Sequence, residues 1–224
     1  MSGVLGPLND LAGGLFLLNA FAMVATRQVR GCMRFFIWQS ICLVASAALI
    51  GGITGTAELF IVAAINLLTK PVIIPLLLRR SVPQDIQTRR EIVQVLTVPS
   101  ALLSALVIAV FSYFAGRTLL SAAAPLVPAA NVPIGIAGLL LGAFTITVRR
   151  EAVPQLFGLM AMENGAFYAG MAFAPDLPLI AEVAAAFDAL IIVLLVAILT
   201  RAIHERVGTT EVSSLTTLKE EPRQ

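Results

Sequence analysis

Charge is scarce in this sequence. Charged residues fill 12% of its 224 positions and hydrophobic ones 58%, whereas soluble domains carry roughly twice that charged fraction. At a mean hydropathy of +0.94, too little polar surface remains to cover a water-soluble globule. Cysteine is almost absent as well. Cys32 and Cys42 stand ten residues apart, Cys32 in a basic loop and Cys42 in an apolar block, so they provide neither a disulfide nor a metal-ligand set. His204 is the single histidine and follows the last apolar block, where a cation suits the C-terminal end of a helix dipole. No Walker loop, dinucleotide fingerprint, nucleophile–base pair, haem ligation or iron–sulfur ligation is present. No cofactor is therefore expected in this chain. Strand-like alternation over about ten residues does not recur, which argues against a membrane barrel.

What the sequence has instead is apolar length. Seven blocks run near 4–26, 35–53, 57–78, 94–116, 133–148, 152–174 and 178–201. A helix needs about 20 apolar residues to cross roughly 30 Å of hydrocarbon. The expected fold is an all-α integral membrane protein, a bundle of about seven transmembrane helices. Positive charge orients it. Arg27, Arg30 and Arg34 separate blocks one and two, and Arg79, Arg80, Arg89 and Arg90 separate three and four. Arg149 and Arg150 separate five and six, while Arg201, Arg206, Lys219 and Arg223 follow block seven. Thirteen of the 15 positive residues thus fall on alternate, same-side segments, against Arg117 alone on the other side and Lys70 within a block. The positive-inside rule then puts the N-terminus outside and the C-terminus in the cytoplasm. Block one has no positive segment before it and reads as an uncleaved anchor, not a signal peptide. The net charge of +2 is spread over loops as topology signals and implies no nucleic-acid partner.

The chain divides naturally into a four-helix part over 1–120, a linker over 121–132 rich in small residues and proline, a three-helix part over 133–202 and a polar cytoplasmic tail over 203–224. In the three-helix part Arg149-Arg150-Glu151 forms one turn and the run from Ala174 to Pro178 the other. No inverted repeat is evident, which disfavours a stand-alone secondary transporter.

Of the ionisable residues within the blocks, Lys70, Glu163, Glu182 and Asp188 are the candidates, since a charge there costs a few kcal/mol or more unless it meets a partner or a wet cavity. Glu163 lies 11 residues past Ala152 and 11 before Ala174, out of reach of either surface. Gly158, Ala161, Gly165 and Ala169 surround it with small residues at helical spacing, inviting close approach by a neighbouring helix. Its carboxyl group is protonated, paired or part of a proton path; the structural alternative is a protonated acid hydrogen-bonded across an interface. Glu182 and Asp188 share block seven, Glu182 about one turn inside the boundary and Asp188 deeper. Six residues turn a helix through about 600°, so the two acids lie some 120° apart around the axis. Lys70 precedes Pro71 and Pro75, which cannot donate to the carbonyls of Leu67 and Pro71. A kinked helix with freed acceptors near the ammonium group is expected there. Snorkelling to the basic side is the alternative for Lys70, but Arg79 lies nine residues away, about 13 Å along the axis. Glu58 opens block three and is read as solvated.

Arg149-Arg150, Pro154-Gln155-Leu156-Phe157-Gly158 and Met162-Glu163-Asn164-Gly165 together resemble the E component of hydrogenase-4. Leu68-Thr69-Lys70 with Pro75, Glu182 with Phe187-Asp188, and the tail from Gly208 to Lys219 match the same family. The resemblance covers nearly the whole chain. It implies a membrane subunit of the formate-hydrogenlyase type of nickel–iron hydrogenase complex, in a bacterial or archaeal inner membrane. Partners would be antiporter-like membrane subunits and a peripheral hydrogenase-like or complex I-like arm. The nickel–iron centre and iron–sulfur clusters would reside in those partners. The last three helices are similar to the K subunit of respiratory complex I and the C subunit of multisubunit cation/proton antiporters. In these relatives carboxylates on the second and third helices belong to a lateral polar path. Glu163 matches the first carboxylate, and the second falls on Asp188 or Glu182. The expected function is a proton path through Glu163, Asp188, Glu182 and Lys70. The alternatives are a purely structural connector in the same complex, or a subunit of a multisubunit cation/proton antiporter.

Overall fold

A computed structural model describes residues 2–81, 95–122, 130–173, 191–194, 198–199 and 202. Glu182, Asp188, most of the linker and the tail lie outside the described residues. The described chain is helical: α1 (Ser2–Ala25), α2 (Val29–Thr54), α3 (Ala57–Leu68), a π-helical turn (Thr69–Ile73), α4 (Ile74–Ser81), α5 (Val98–Ala122), α6 (Asn131–Val148) and α7 (Ala152–Phe173). Five runs are long and apolar enough to cross a membrane: Val4–Ala25, Val29–Thr54, Ala57–Arg80, Val98–Leu120 and Asn131–Val148. The protein is an all-α, multi-pass membrane bundle. Its sixth apolar block is the 22-residue α7, about 33 Å long at 1.5 Å per residue.

The helices outrun their apolar blocks. α2 starts at Val29 and takes Arg30 and Arg34 into its first turns, leaving only Thr26–Gln28 as the connection to α1. Cys32, expected in a loop, is therefore a fully buried helical residue. Hydropathy marks the part of a helix that meets apolar surroundings, whereas the helix continues as long as its backbone bonds close. Arginine is a good helix former and does not stop it. α5 likewise continues through Arg117, whose guanidinium sits 5.8 Å from the centre of the Tyr113 ring. Between α2 and α3 the chain reverses in two residues. Gly55 takes φ +75 and returns its N–H to the carbonyl of Gly51, a left-handed helix ending that glycine reaches without a Cβ penalty.

These short turns make successive helices antiparallel. α1 pairs with α2, and α6 with α7; α7 also packs on α2, and α6 on α1 and α5. The α6–α7 contact is the tightest. A Cβ on Gly165 would overlap the backbone of Gly138 and Leu139, and one on Gly142 would overlap the backbone of Met162. Small residues allow this approach, because helix association in lipid depends on close packing. Two apolar clusters sit one above the other. Phe36, Ile74, Phe157 and Met160 belong to the cluster nearer the arginine-rich end, and Leu43, Ala63, Phe16 and Tyr168 to the other. α5 closes one flank through Ala101 and Ala105. Its far side, Leu103, Leu106, Val107, Phe111 and Phe114, is exposed apolar surface, as a lipid-facing helix requires.

Candidate functional site

Between the two apolar clusters lies a polar layer. α2 contributes Gln39 and Ser40, α3 and the π turn contribute Asn66, Thr69 and Lys70, and α7 contributes Glu163 and Asn164. Each lies nine or more residues from both ends of its span, hence about 13 Å or more from either surface along the helix axis. All except Glu163 are buried. Polar side chains at this depth are costly unless partnered.

Lys70 Nζ lies 2.8 Å from Glu163 Oε1, with the lysine side chain 1% exposed and the glutamate 29%. The π turn is what places the lysine. Pro71 has no N–H for the carbonyl of Leu67, and the ladder widens so that the N–H of Ile74 reaches the carbonyl of Thr69. At Pro71, where a kink is expected, the chain forms a π-helical turn, a frequent device at functional sites. Nζ meets no other acceptor with hydrogen-bond geometry among the described residues, so the glutamate carries the whole compensation visible there. Snorkelling is not what Lys70 does.

The Met162-Glu163-Asn164-Gly165 run explains how the carboxylate is aimed. Successive helical residues point about 100° apart. Gly165 faces α6 at backbone contact. Asn164 faces α2, where its Nδ2 donates to Ser40 Oγ at 3.1 Å. Glu163 then faces the π turn and Lys70. One short motif thereby sets three helix neighbours at once. The structure brings together Lys70 and Glu163 of the four expected charges; Glu182 and Asp188 lie outside the described residues. Glu58 is exposed, matching its solvated reading.

Two charged positions are missing from the candidates named in the sequence. Asp10 lies on α1, six residues into the first span, and is exposed. Arg149 looks like a loop topology signal in sequence, yet it is 2% exposed. Its Nη2 donates to the carbonyls of Met23 at 2.9 Å, Val24 at 3.0 Å and Thr26 at 2.5 Å. These include the orphan carbonyls at the C-terminus of α1, which a cation satisfies both by hydrogen bonding and against the helix dipole. Gln155 Nε2 donates to the carbonyl of Arg149 at 2.8 Å and steadies the turn. Block reading treats every flanking arginine alike, so nothing local separates Arg149 from its exposed neighbour Arg150.

A multi-pass helical membrane protein with a lysine–glutamate pair held at mid-depth is the class defined by this fold and layer. Across 215 residues the chain is 30% identical to hydrogenase-4 component E of Escherichia coli strain K12, covering 95% of this chain and 97% of that protein. The chain belongs to the hydrogenase-4 component E family. Hydrogenase-4 component E of Shigella flexneri is similar to the same degree and over the same shares. A Mycobacterium tuberculosis protein described as uncharacterized protein Rv0085 is 27% identical over 214 residues, 95% of this chain and 96% of its own. No family model matches the chain. No solved structure matches it.

Proposed function

We propose that the chain is a proton-path subunit in the membrane arm of a hydrogenase-like, formate-hydrogenlyase type complex of a bacterial or archaeal inner membrane. The carrying observation is the Lys70–Glu163 pair at 2.8 Å in the middle of the bundle. A carboxylate there cycles between charge states only if its counter-charge or its water contact changes. Lys70 supplies the counter-charge, and the π turn supplies backbone that has already left regular α geometry. The 29% exposure of Glu163 leaves it open on one side to a proton donor or acceptor. Asp188 or Glu182 is the second acid in this reading, by the resemblance of the last three helices to the complex I K subunit. Antiporter-like membrane subunits and a peripheral arm are the partners; the nickel–iron centre and iron–sulfur clusters belong to that arm. The protein's own task is to hold and move a proton at the Glu163 carboxyl.

Glu163→Gln in the native complex tests this. Glutamine keeps an oxygen towards Lys70 but has no titratable proton. The variant complex is expected to assemble, to reduce an artificial acceptor normally and to lose proton coupling, while Glu163→Asp retains part of it. A Glu163→Gln complex that assembles and couples like the unaltered one rejects the relay and leaves a structural connector.

A further inference from the structure

A second set of buried polar groups sits above the Lys70–Glu163 layer, towards the end of the bundle where α1 and α6 begin. Asn9 Nδ2 donates to Asn131 Oδ1 at 2.7 Å, and Ser46 Oγ donates to Asn9 Oδ1 at 2.6 Å. Tyr168 joins them from α7, its ring stacked on Phe16 with centroids 4.7 Å apart. All four polar side chains are fully buried. Asn131 opens α6, Ser46 lies eight residues before the end of α2, and Tyr168 lies five before the end of α7. Gly13 leaves room beside the tyrosine: a Cβ there would stand 2.8 Å from the hydroxyl oxygen. Asp10, next to Asn9, is exposed at this level.

The two sets are joined by helical register. Asn164 and Tyr168 are four residues apart on one face of α7, about 6 Å along the axis. Gln39 and Ser46 are seven apart on one face of α2, about 10 Å along it. α2 and α7 pack against each other, so both faces border one seam. Along that seam hydrogen-bonding capacity is left unmet. Both amide atoms of Gln39 and the Oδ1 of Asn164 have no partner among the described residues, nor has the Nδ2 of Asn131 at the start of α6, and each belongs to a fully buried side chain. Such groups cost about 1–3 kcal/mol each when unsatisfied, and buried water is their usual partner. A purely packing role accounts for the Asn9–Asn131–Ser46 bonds but not for the hydrogen-bonding groups left unmet at both levels.

We propose that the α2–α7 seam is a hydrated proton path joining the Lys70–Glu163 pair to the Asn131 end of the bundle, with Tyr168 as its hydroxyl link. The proposal rests on the relay reading of Glu163. The amides of Gln39, Asn131 and Asn164 hold the waters. Each hop forms one O–H bond on an accepting water or hydroxyl oxygen and breaks another as that oxygen releases its own proton, so no electron is transferred and Tyr168 is left neutral. Tyr168 is a positioning and relay residue here.

The test uses the full complex in sealed vesicles, with Cys32 and Cys42 replaced by alanine. Single cysteines are placed at Ser40 and Ser46 and probed with a small charged thiosulfonate from each side. Both should be modified from the Asn131 side, at least about tenfold faster than Leu141→Cys on α6, whose side chain is buried in the separate apolar cluster with Ala101 and Ala105. Gln39→Cys serves at the same depth if Ser40→Cys does not assemble. Tyr168→Phe keeps the ring on Phe16 and should lower proton coupling about tenfold or more, as loss of a positioned proton-transfer group does, with artificial-acceptor activity unchanged. Lack of modification at the Ser40 level, or modification only from the Arg149 side, overturns the path even where Glu163→Gln abolishes coupling and the relay stands. Modification beside a fully coupled Glu163→Gln complex overturns both, since the water would then lead to a group that does not titrate.

Discussion

At the scale of single residues the Lys70–Glu163 pair is asymmetric, and the asymmetry has consequences for substitution. Lys70 is 1% exposed and Glu163 29%. Removing one partner of a buried ion pair costs about 3–5 kcal/mol, because the other charge is left uncompensated. Glu163→Ala strands an ammonium group with no other acceptor in hydrogen-bond geometry among the described residues, so the full penalty is expected. Lys70→Met strands a partly exposed carboxylate that can take up a proton, and the loss should be smaller. Replacing both, as Lys70→Met with Glu163→Gln, removes the stranded charge and should recover most of the stability. Thermal unfolding of the assembled complex in detergent checks this; losses that simply add across the two sites would show that the pair is not coupled.

Among the elements, two junctions hold the bundle. The first is the α6–α7 turn, where Arg149 closes the carbonyl end of α1. Hydrogen bonds from a charged group contribute about 1.5–3 kcal/mol. Arg149→Ala is expected to cost about 3 kcal/mol, and Arg150→Ala, at an exposed position, no more than about 0.5 kcal/mol. Chemical-denaturation midpoints of the two variants make the comparison, and equal midpoints would contradict the buried latch. The second junction is the α6–α7 interface itself. Gly165→Val puts side-chain atoms where the backbone of Gly138 and Leu139 already lies, so the helices must separate and Glu163 must turn away from Lys70. Assembly should fail or fall severely. Gly14→Ala meets nothing within 4 Å and should be neutral or gain up to about 1 kcal/mol from helix propensity. Quantifying the assembled complex on native gels separates the two, and a well-tolerated Gly165→Val would refute the close packing.

For the whole molecule, the antiparallel hairpins place Arg27, Arg30, Arg79, Arg80, Arg149 and Arg150 towards one end and the Gly55 turn and Asn131 towards the other. The positive-inside rule assigns the arginine-rich end to the cytoplasm. The topology expected from the sequence, about seven spans with the N-terminus outside, predicts Ser213 inside and Ala129 outside. Single cysteines at these two positions should respond oppositely to an impermeant reagent on intact cells: no labelling at Ser213, labelling at Ala129. The reverse pattern would invert the bundle. The direction of the seam between α2 and α7 would invert with it, since its open end is the Asn131 end.

Much of the fold is legible in the chain because bilayer thickness converts apolar length directly into helices. Scarce charge, the blocks of about 20 residues and the turn at Arg149–Glu151 all follow from local composition. Lys70 and Glu163 stand out for the same reason: a charge amid apolar residues is conspicuous without any knowledge of its neighbours. What sequence spacing does not carry is contact between residues far apart in the chain. Lys70 and Glu163 are 93 positions apart, and Arg149 and Met23 are 126 apart. Nothing local marks Arg149 as buried and Arg150 as exposed, or Asn9, Ser46, Asn131 and Tyr168 as one cluster. Those outcomes depend on which helix faces meet. That choice is made by backbone approach at Gly142 and Gly165 and by the roughly 100° step that sends Glu163, Asn164 and Gly165 to three different neighbours.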